Sequence, residues 1–357
     1  MKKWIGTGVL LFLMISGCST GNENNTESGN DNNTHNENNT ESETSVEDTA
    51  TSSWEAINLH EDDFFKEEIE MKISHVHGLG YMGNQDIITF ATHYGLVLLE
   101  DGQWFKTAEE LNDYMGFSAV ADGFYSSGHP GEKSSYEGMN PLGVVKSVDG
   151  GKTVHSLDLL EEIDFHVKGT GYYNNAIYGY NPYPNSRMSD TGLHYSLDDT
   201  ETWTQSEMNN LPEPTYDAGN HPNYFIAAHP RNENEVAVGT AEGLFISDNY
   251  GDDFAETDIK VPVISISYYE DDLYLSVWTG KSELLRLTDD GGVESLPIPE
   301  MASQQDVIQY IAVNPNDSEE IVYITFIGNA YISNDEGETW EQILEDHNTV
   351  TNDSDET

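Results

Sequence analysis

One short pattern, repeated four times, constrains this chain more than any other feature. It runs through Ser147, Asp149, Gly151 and Thr153; Ser196, Asp198, Thr200, Thr202 and Trp203; Ser247, Asn249, Gly251, Asp253 and Phe254; and Ser333, Asp335, Gly337, Thr339 and Trp340. A serine hydroxyl and a carboxylate two residues apart can bond backbone amides ahead of them in the chain. In three of the copies a glycine two residues further on supplies a positive φ, and in three a closing aromatic packs back under the hairpin. Each copy therefore reads as a structural turn between strands, and the four side chains Asp149, Asp198, Asn249 and Asp335 are set aside from any catalytic role.

Upstream of each copy lie short runs rich in Val, Ile, Tyr, Phe and Thr, each ended by Gly, Asn, Asp or Pro. A repeat of several strands and one turn is the signature of radially stacked units that share their cores. The fold class predicted is all-β, a β-propeller of four-stranded blades. Six units are counted, with innermost strands beginning near His75, Met115, Asp164, Tyr224, Pro262 and Val307; a seventh would follow if Trp54 to Met71 supplied strands. Helical periodicity is scarce, and Thr107 to Tyr114 reads as one short helix.

The termini carry a different signal. Lys2 and Lys3 precede an apolar run from Trp4 to Met14 that is too short to span a bilayer, which reads as a signal peptide over 1–17. Ile15, Ser16, Gly17 and Cys18 resemble the lipobox of bacterial lipoproteins, in which the thiol receives a diacylglycerol. Cys18 is the only cysteine, so disulfides and thiolate metal sites are excluded. Residues 18–53 are polar and acidic, unable to bury enough surface to offset their ordering entropy, and read as a tether; 345–357 read as an acidic tail. The folded body is then 54–344, facing outward from the membrane that holds the lipid.

With 65 acidic against 14 basic residues the formal charge is -51, which excludes nucleic acid and anionic lipid surfaces as partners. Membrane attachment would come from the acyl chains alone.

The turns resemble the Asp-box, and the body resembles a group of bacterial Asp-box (BNR-repeat) lipoproteins of glycosyl-hydrolase-like designation, within the sialidase and sortilin-like propellers. The residues that carry the likeness include His75, His77, Gly80, Thr92, His93, Leu96, Ser127, His129, Pro130, Asn140, Gly143, Asp164 and His166. The resemblance implies a glycan substrate, or else a non-catalytic sortilin-like or assembly-factor-like role in binding an extracellular protein or peptide. Sialidase chemistry is excluded by residue type. It needs three arginines converging on a sugar carboxylate, and the first of Arg187, Arg231 and Arg286 arrives only in the third unit.

Neutral glycoside hydrolysis needs two carboxyl groups across the scissile bond. The candidates are Asp164, at the third inner strand, and Asp217, in the loop before the fourth. Tyr172, Tyr180, Tyr183 and Tyr216 crowd the third unit and its following loop, and such rings suit stacking on sugar faces. A second chemistry is carried by imidazole. Eight of twelve histidines fall between His75 and His221. His75 and His77 lie two apart on an inner strand, His166 occupies a comparable place in the third unit, and His93 and His129 both close second strands. These five are candidate ligands for a transition metal at one mouth of the propeller.

Overall fold

A computed structural model describes residues 53–216 and 221–350. They form six antiparallel sheets of four or five strands. Blade one is Val76–Tyr81, Ile88–Thr92, Gly95–Glu100 and Gln103–Thr107, with Phe65–Glu67 added at its outer edge. Blade two is Leu111–Val120, Gly123–Glu132, Val144–Ser147 and His155–Asp158; blade three is Lys168–Thr170, Ile177–Asn181, Gly192–Ser196 and Thr204–Gln205. Blades four, five and six begin with the inner strands Phe225–Ala228, Val263–Tyr269 and Ile308–Asn314. The inner strands touch in sequence order around a ring, and that of blade six returns to that of blade one.

Burial explains why the strands arrange this way. Six apolar clusters form, each filling the seam between two neighbouring blades; Leu98 and Phe105 of blade one meet Phe117 and Phe124 of blade two, and Val97 and Phe90 meet Val322 and Ile324 of blade six.

The four repeated turns share one hydrogen-bond scheme. Gly151, Thr200, Gly251 and Gly337 each donate their backbone N–H to the preceding serine Oγ at 2.8–3.0 Å. The serine donates to the Asp or Asn side chain at 2.8–2.9 Å, which in turn accepts the backbone N–H four residues on. Each turn joins the third and fourth strands of its blade. The inner strand starts, and the second strand ends, at the opposite face.

The six blades expected are present among the described residues, and Trp54 to Met71 adds only Phe65–Glu67, to blade one and not to a seventh. Two sequence expectations are corrected. The stretch expected as a helix is two strands joined at residues 108–110, because its apolar residues Leu111 and Tyr114 belong to the strand alternation of Leu111–Val120. Finally, the fold continues past residue 344 into Glu341–Glu345 and Asn348–Thr349, which pair with each other. The expectations at Cys18 and Asp217 lie outside the described residues.

Candidate metal centre

At the face away from the repeated turns, side chains from the first three blades converge. His77 arrives through a β-bulge: Val76 pairs with Thr92 and Gly78 with Ala91, so His77 is the extra residue and is re-aimed by the kink. His93 follows directly on Thr92 at the end of the second strand, and the rings of His77 and His93 stack with centroids 4.6 Å apart. Asp113 enters from the inner strand of blade two. Its carboxylate lies 3.7 Å from His77 Nε2 and 3.8 Å from His93 Nε2. Those separations are too long for hydrogen bonds. His77 Nε2 and Asp113 Oδ1 are in fact buried with no hydrogen-bond partner.

A second group adjoins the first. Asp113 is the cross-strand partner of His129. Asp164 Oδ2 accepts from His129 Nε2 at 3.2 Å and from His166 Nε2 at 2.6 Å, while His129 Nδ1 meets Asn140 Oδ1 at 2.6 Å. His221 stacks on His166 with centroids 3.7 Å apart. His75, held at a φ of 56°, packs its ring against His93 at 4.6 Å.

The electrostatics of the two groups differ. Burial pushes His77 down to about 3, helped by the neighbouring imidazoles of His93, His166 and His75. Burial also lowers His93, with His75 and His129 acting in the same direction. Asp113 is pushed up to about 6, chiefly by burial and then by Asp164, against the opposing pull of His129 and His166. For Asp164 burial acts upward, but hydrogen bonds from His129 and His166 outweigh it and hold the carboxyl well below the usual range. The Asp164 hydrogen bond raises His129 to about 9, against its burial and with help from Asn140. One group therefore consists of neutral imidazoles beside a reluctant carboxylate, and the other is an ion pair.

The first group fits a metal ion. One donor atom each from His77, His93 and Asp113 lies within 4.8 Å of the others. Bonds of about 2.0–2.1 Å in tetrahedral geometry place ligand atoms roughly 3.4 Å apart, close to the observed His–Asp separations. Two imidazoles and a carboxylate suit zinc and the other borderline first-row divalent ions.

The five histidines expected at the mouth, His75, His77, His93, His129 and His166, are there, and they divide between the two groups around separate carboxylates. Asp164 lies there too. Of the tyrosines, Tyr183 and Tyr216 are about half exposed. Tyr180 is buried, its hydroxyl 3.2 Å from that of Tyr216. Tyr172 follows the inner strand of blade three at the opposite end, where its hydroxyl donates to the Tyr81 carbonyl and accepts from the Asn84 N–H. That position corrects its expected place beside the sugar-stacking tyrosines. Sequence reasoning missed Asp113, Asn140 and His221. Asp113 was hidden inside the expected helix, and the strand alternation of Asn112 and Tyr114 on either side of it was the signal that would have recovered it.

No protein-family profile and no curated protein sequence matches the chain. Among solved structures it is similar in fold to β-propellers. A GH74 enzyme from Niastella koreensis aligns with a TM-score of 0.50 at 12% identity over 78% of this chain and 47% of that one. A GH74 xyloglucanase from Xanthomonas campestris gives 0.49 at 15% identity, again over 78% and 47%. YCF48 from Cyanidioschyzon merolae gives 0.45 at 11% identity over 78% and 87%. The chain spans about half the length of the two GH74 proteins. What the fold and site define is a six-bladed β-propeller with a histidine- and aspartate-lined mouth.

Proposed function

We propose that this chain is a lipid-anchored, extracytoplasmic propeller of the Asp-box lipoprotein kind that binds a divalent transition metal through His77, His93 and Asp113. The observation that carries this reading is the pair of orphaned atoms, His77 Nε2 and Asp113 Oδ1, buried side by side where hydrogen bonding is unsatisfied and a cation would satisfy both. The depressed basicity of both imidazoles supports it, since a neutral ring is ready to ligate. A net charge of -51 raises the local concentration of any cation. The lipid on Cys18 and the tether would hold the propeller outside the membrane, and its partners would be the metal and whatever glycan or peptide brings or receives it.

The test is metal content and zinc titration of the purified protein against its Asp113→Asn variant. Near-stoichiometric zinc in the parent, with affinity lowered about 100-fold or more in the variant, supports the site. Absence of zinc binding in the parent would sink it.

A second reading is favoured by one observation: Asp113 and Asp164 are driven in opposite directions, one raised and one lowered, as in an acid and base pair. Beside the exposed Tyr183 and Tyr216 they would cleave a neutral glycan, Asp113 donating the proton. Chelator-insensitive turnover of an oligosaccharide, lost in Asp113→Asn, would establish that activity in place of metal binding.

A further inference from the structure

The two groups at the mouth are related but not identical in plan. His93 follows the second strand of blade one and His129 lies within that of blade two, while Asp113 is on the inner strand of blade two and Asp164 precedes the inner strand of blade three. A third imidazole completes each set, His77 from the blade of His93 in the first and His166 from the blade of Asp164 in the second. The register links them, because Asp113 lies directly opposite His129 on the neighbouring strand.

We infer that the mouth takes two metal ions, the second held by His129, Asp164 and His166. The inference rests on the metal-binding reading above. Asp164 Oδ2 is 3.2 Å from His129 Nε2 and 2.6 Å from His166 Nε2, so both ring nitrogens already point at one carboxylate oxygen. Unlike the first group, these three do not bring one donor atom each within 4.8 Å of the others, so an entering ion must draw the two rings together as well as open their contacts with Asp164 toward the roughly 3.4 Å that separates ligands of a tetrahedral ion. Asp164 Oδ1 is buried without a hydrogen-bond partner, so the carboxylate has a free oxygen inside the site. The surrounding contacts do what a support for metal ligands does. Asn140 Oδ1 accepts from His129 Nδ1, which fixes the tautomer that leaves Nε2 for the ion, and His221 stacks on His166 and holds its plane. An entering divalent ion takes the place of the hydrogen bond from His129 Nε2 to Asp164 Oδ2, the Nε2 proton leaving to solvent. It is of the same class as the first, since the donor set is again two imidazoles and one carboxylate.

The experiment is zinc stoichiometry on the full chain, stripped with chelator and then titrated with zinc buffered by a competing ligand, with elemental analysis of the saturated protein. Two ions per chain are expected for the parent and one for each of Asp164→Asn and Asp113→Asn. His129→Gln, which preserves side-chain bulk on an exposed ring, is expected to bind one ion as well and guards against misfolding of the Asp164 variant. Thermal melting of each variant confirms the fold. One ion in the parent, lost with Asp113→Asn and retained with Asp164→Asn, overturns the second site and leaves the first. No ion in the parent overturns both, and two ions in both the Asp164 and His129 variants place the second ion elsewhere.

Discussion

Lys168 shows how much a single buried charge can alter this molecule. It sits on the inner strand of blade three, its Nζ 3.2 Å from both Ser118 Oγ and Thr170 Oγ1, and no carboxylate lies within ion-pair distance among the described residues. Burial alone pushes its ammonium down to about 7. Since the unfolded chain keeps an ordinary lysine value near 10.4, the unfolded state binds more protons between about pH 7 and pH 10. Stability therefore rises with pH across that window, and below about 7 the full cost of the buried charge is present. A difference of roughly three units corresponds to about 4 kcal/mol as an upper figure. Lys168→Met, which keeps the length of the chain and removes the charge, is expected to be more stable than the parent at pH 7, with the advantage shrinking as pH approaches 10. Parallel urea melts at several pH values measure it, and a constant difference would mean that burial does not depress the ammonium. The partners of Lys168 are only half legible in the sequence, since Thr170 lies two residues on while Ser118 belongs to another blade 50 residues away.

At the scale of an element, the inner strand of blade one decides where the ligands stand. Gly78 follows His77, and a methyl group on it would meet the Phe117 Cβ of blade two at 2.5 Å. Two inner strands thus approach too closely for any side chain at that point, and the closeness brings His77 to Asp113. Gly78→Ala is expected to cost about 1–3 kcal/mol through overpacking. Because the strand must shift to relieve the clash, metal affinity should fall with it; stability loss with unchanged zinc binding would show that the bulge at His77 absorbs the displacement. The repeated turns act differently, as local clamps. Ser333→Ala removes a buried hydroxyl that serves Gly337 N and Asp335 and should cost about 1–3 kcal/mol with no effect on the mouth, measured by melting and zinc titration side by side. These turns are legible in the sequence because every contact is made within four residues. The blades follow from them by spacing. The mouth is legible only in part: the histidines announce themselves by type and by clustering in the first three repeats, whereas Asp113 is one acid among 65 and gains its meaning from a cross-blade approach that no local pattern encodes.

The whole ring closes without sharing a strand between the first and last blades, since the four main strands of each are contiguous in sequence. Closure then rests on the apolar seam of Val76, Phe90 and Val97 against Val322 and Ile324, and on a strap after the last main strand. In that strap Ile73 N donates to the His347 carbonyl at 2.7 Å, Thr349 N donates to the Met71 carbonyl at 3.0 Å, Met71 N donates to Thr349 Oγ1 at 3.0 Å, and His347 Nδ1 meets the Ile73 carbonyl at 3.0 Å. Each such bond contributes about 0.5–1.5 kcal/mol net, so ending the chain after Glu345, which removes all four, is expected to cost about 2–6 kcal/mol. The strap holds Ile73, two residues before His75 and four before His77, so it also sets the origin of the strand that carries the first ligands. Truncation should therefore lower zinc affinity at the first site more than at the second, whose ligands come from blades two and three. Differential scanning calorimetry and zinc titration of the shortened chain test this together. An unchanged melting temperature would mean that the apolar seam closes the ring unaided, and an equal loss at both sites would mean that the ring responds to opening as one rigid body and not from the seam outward.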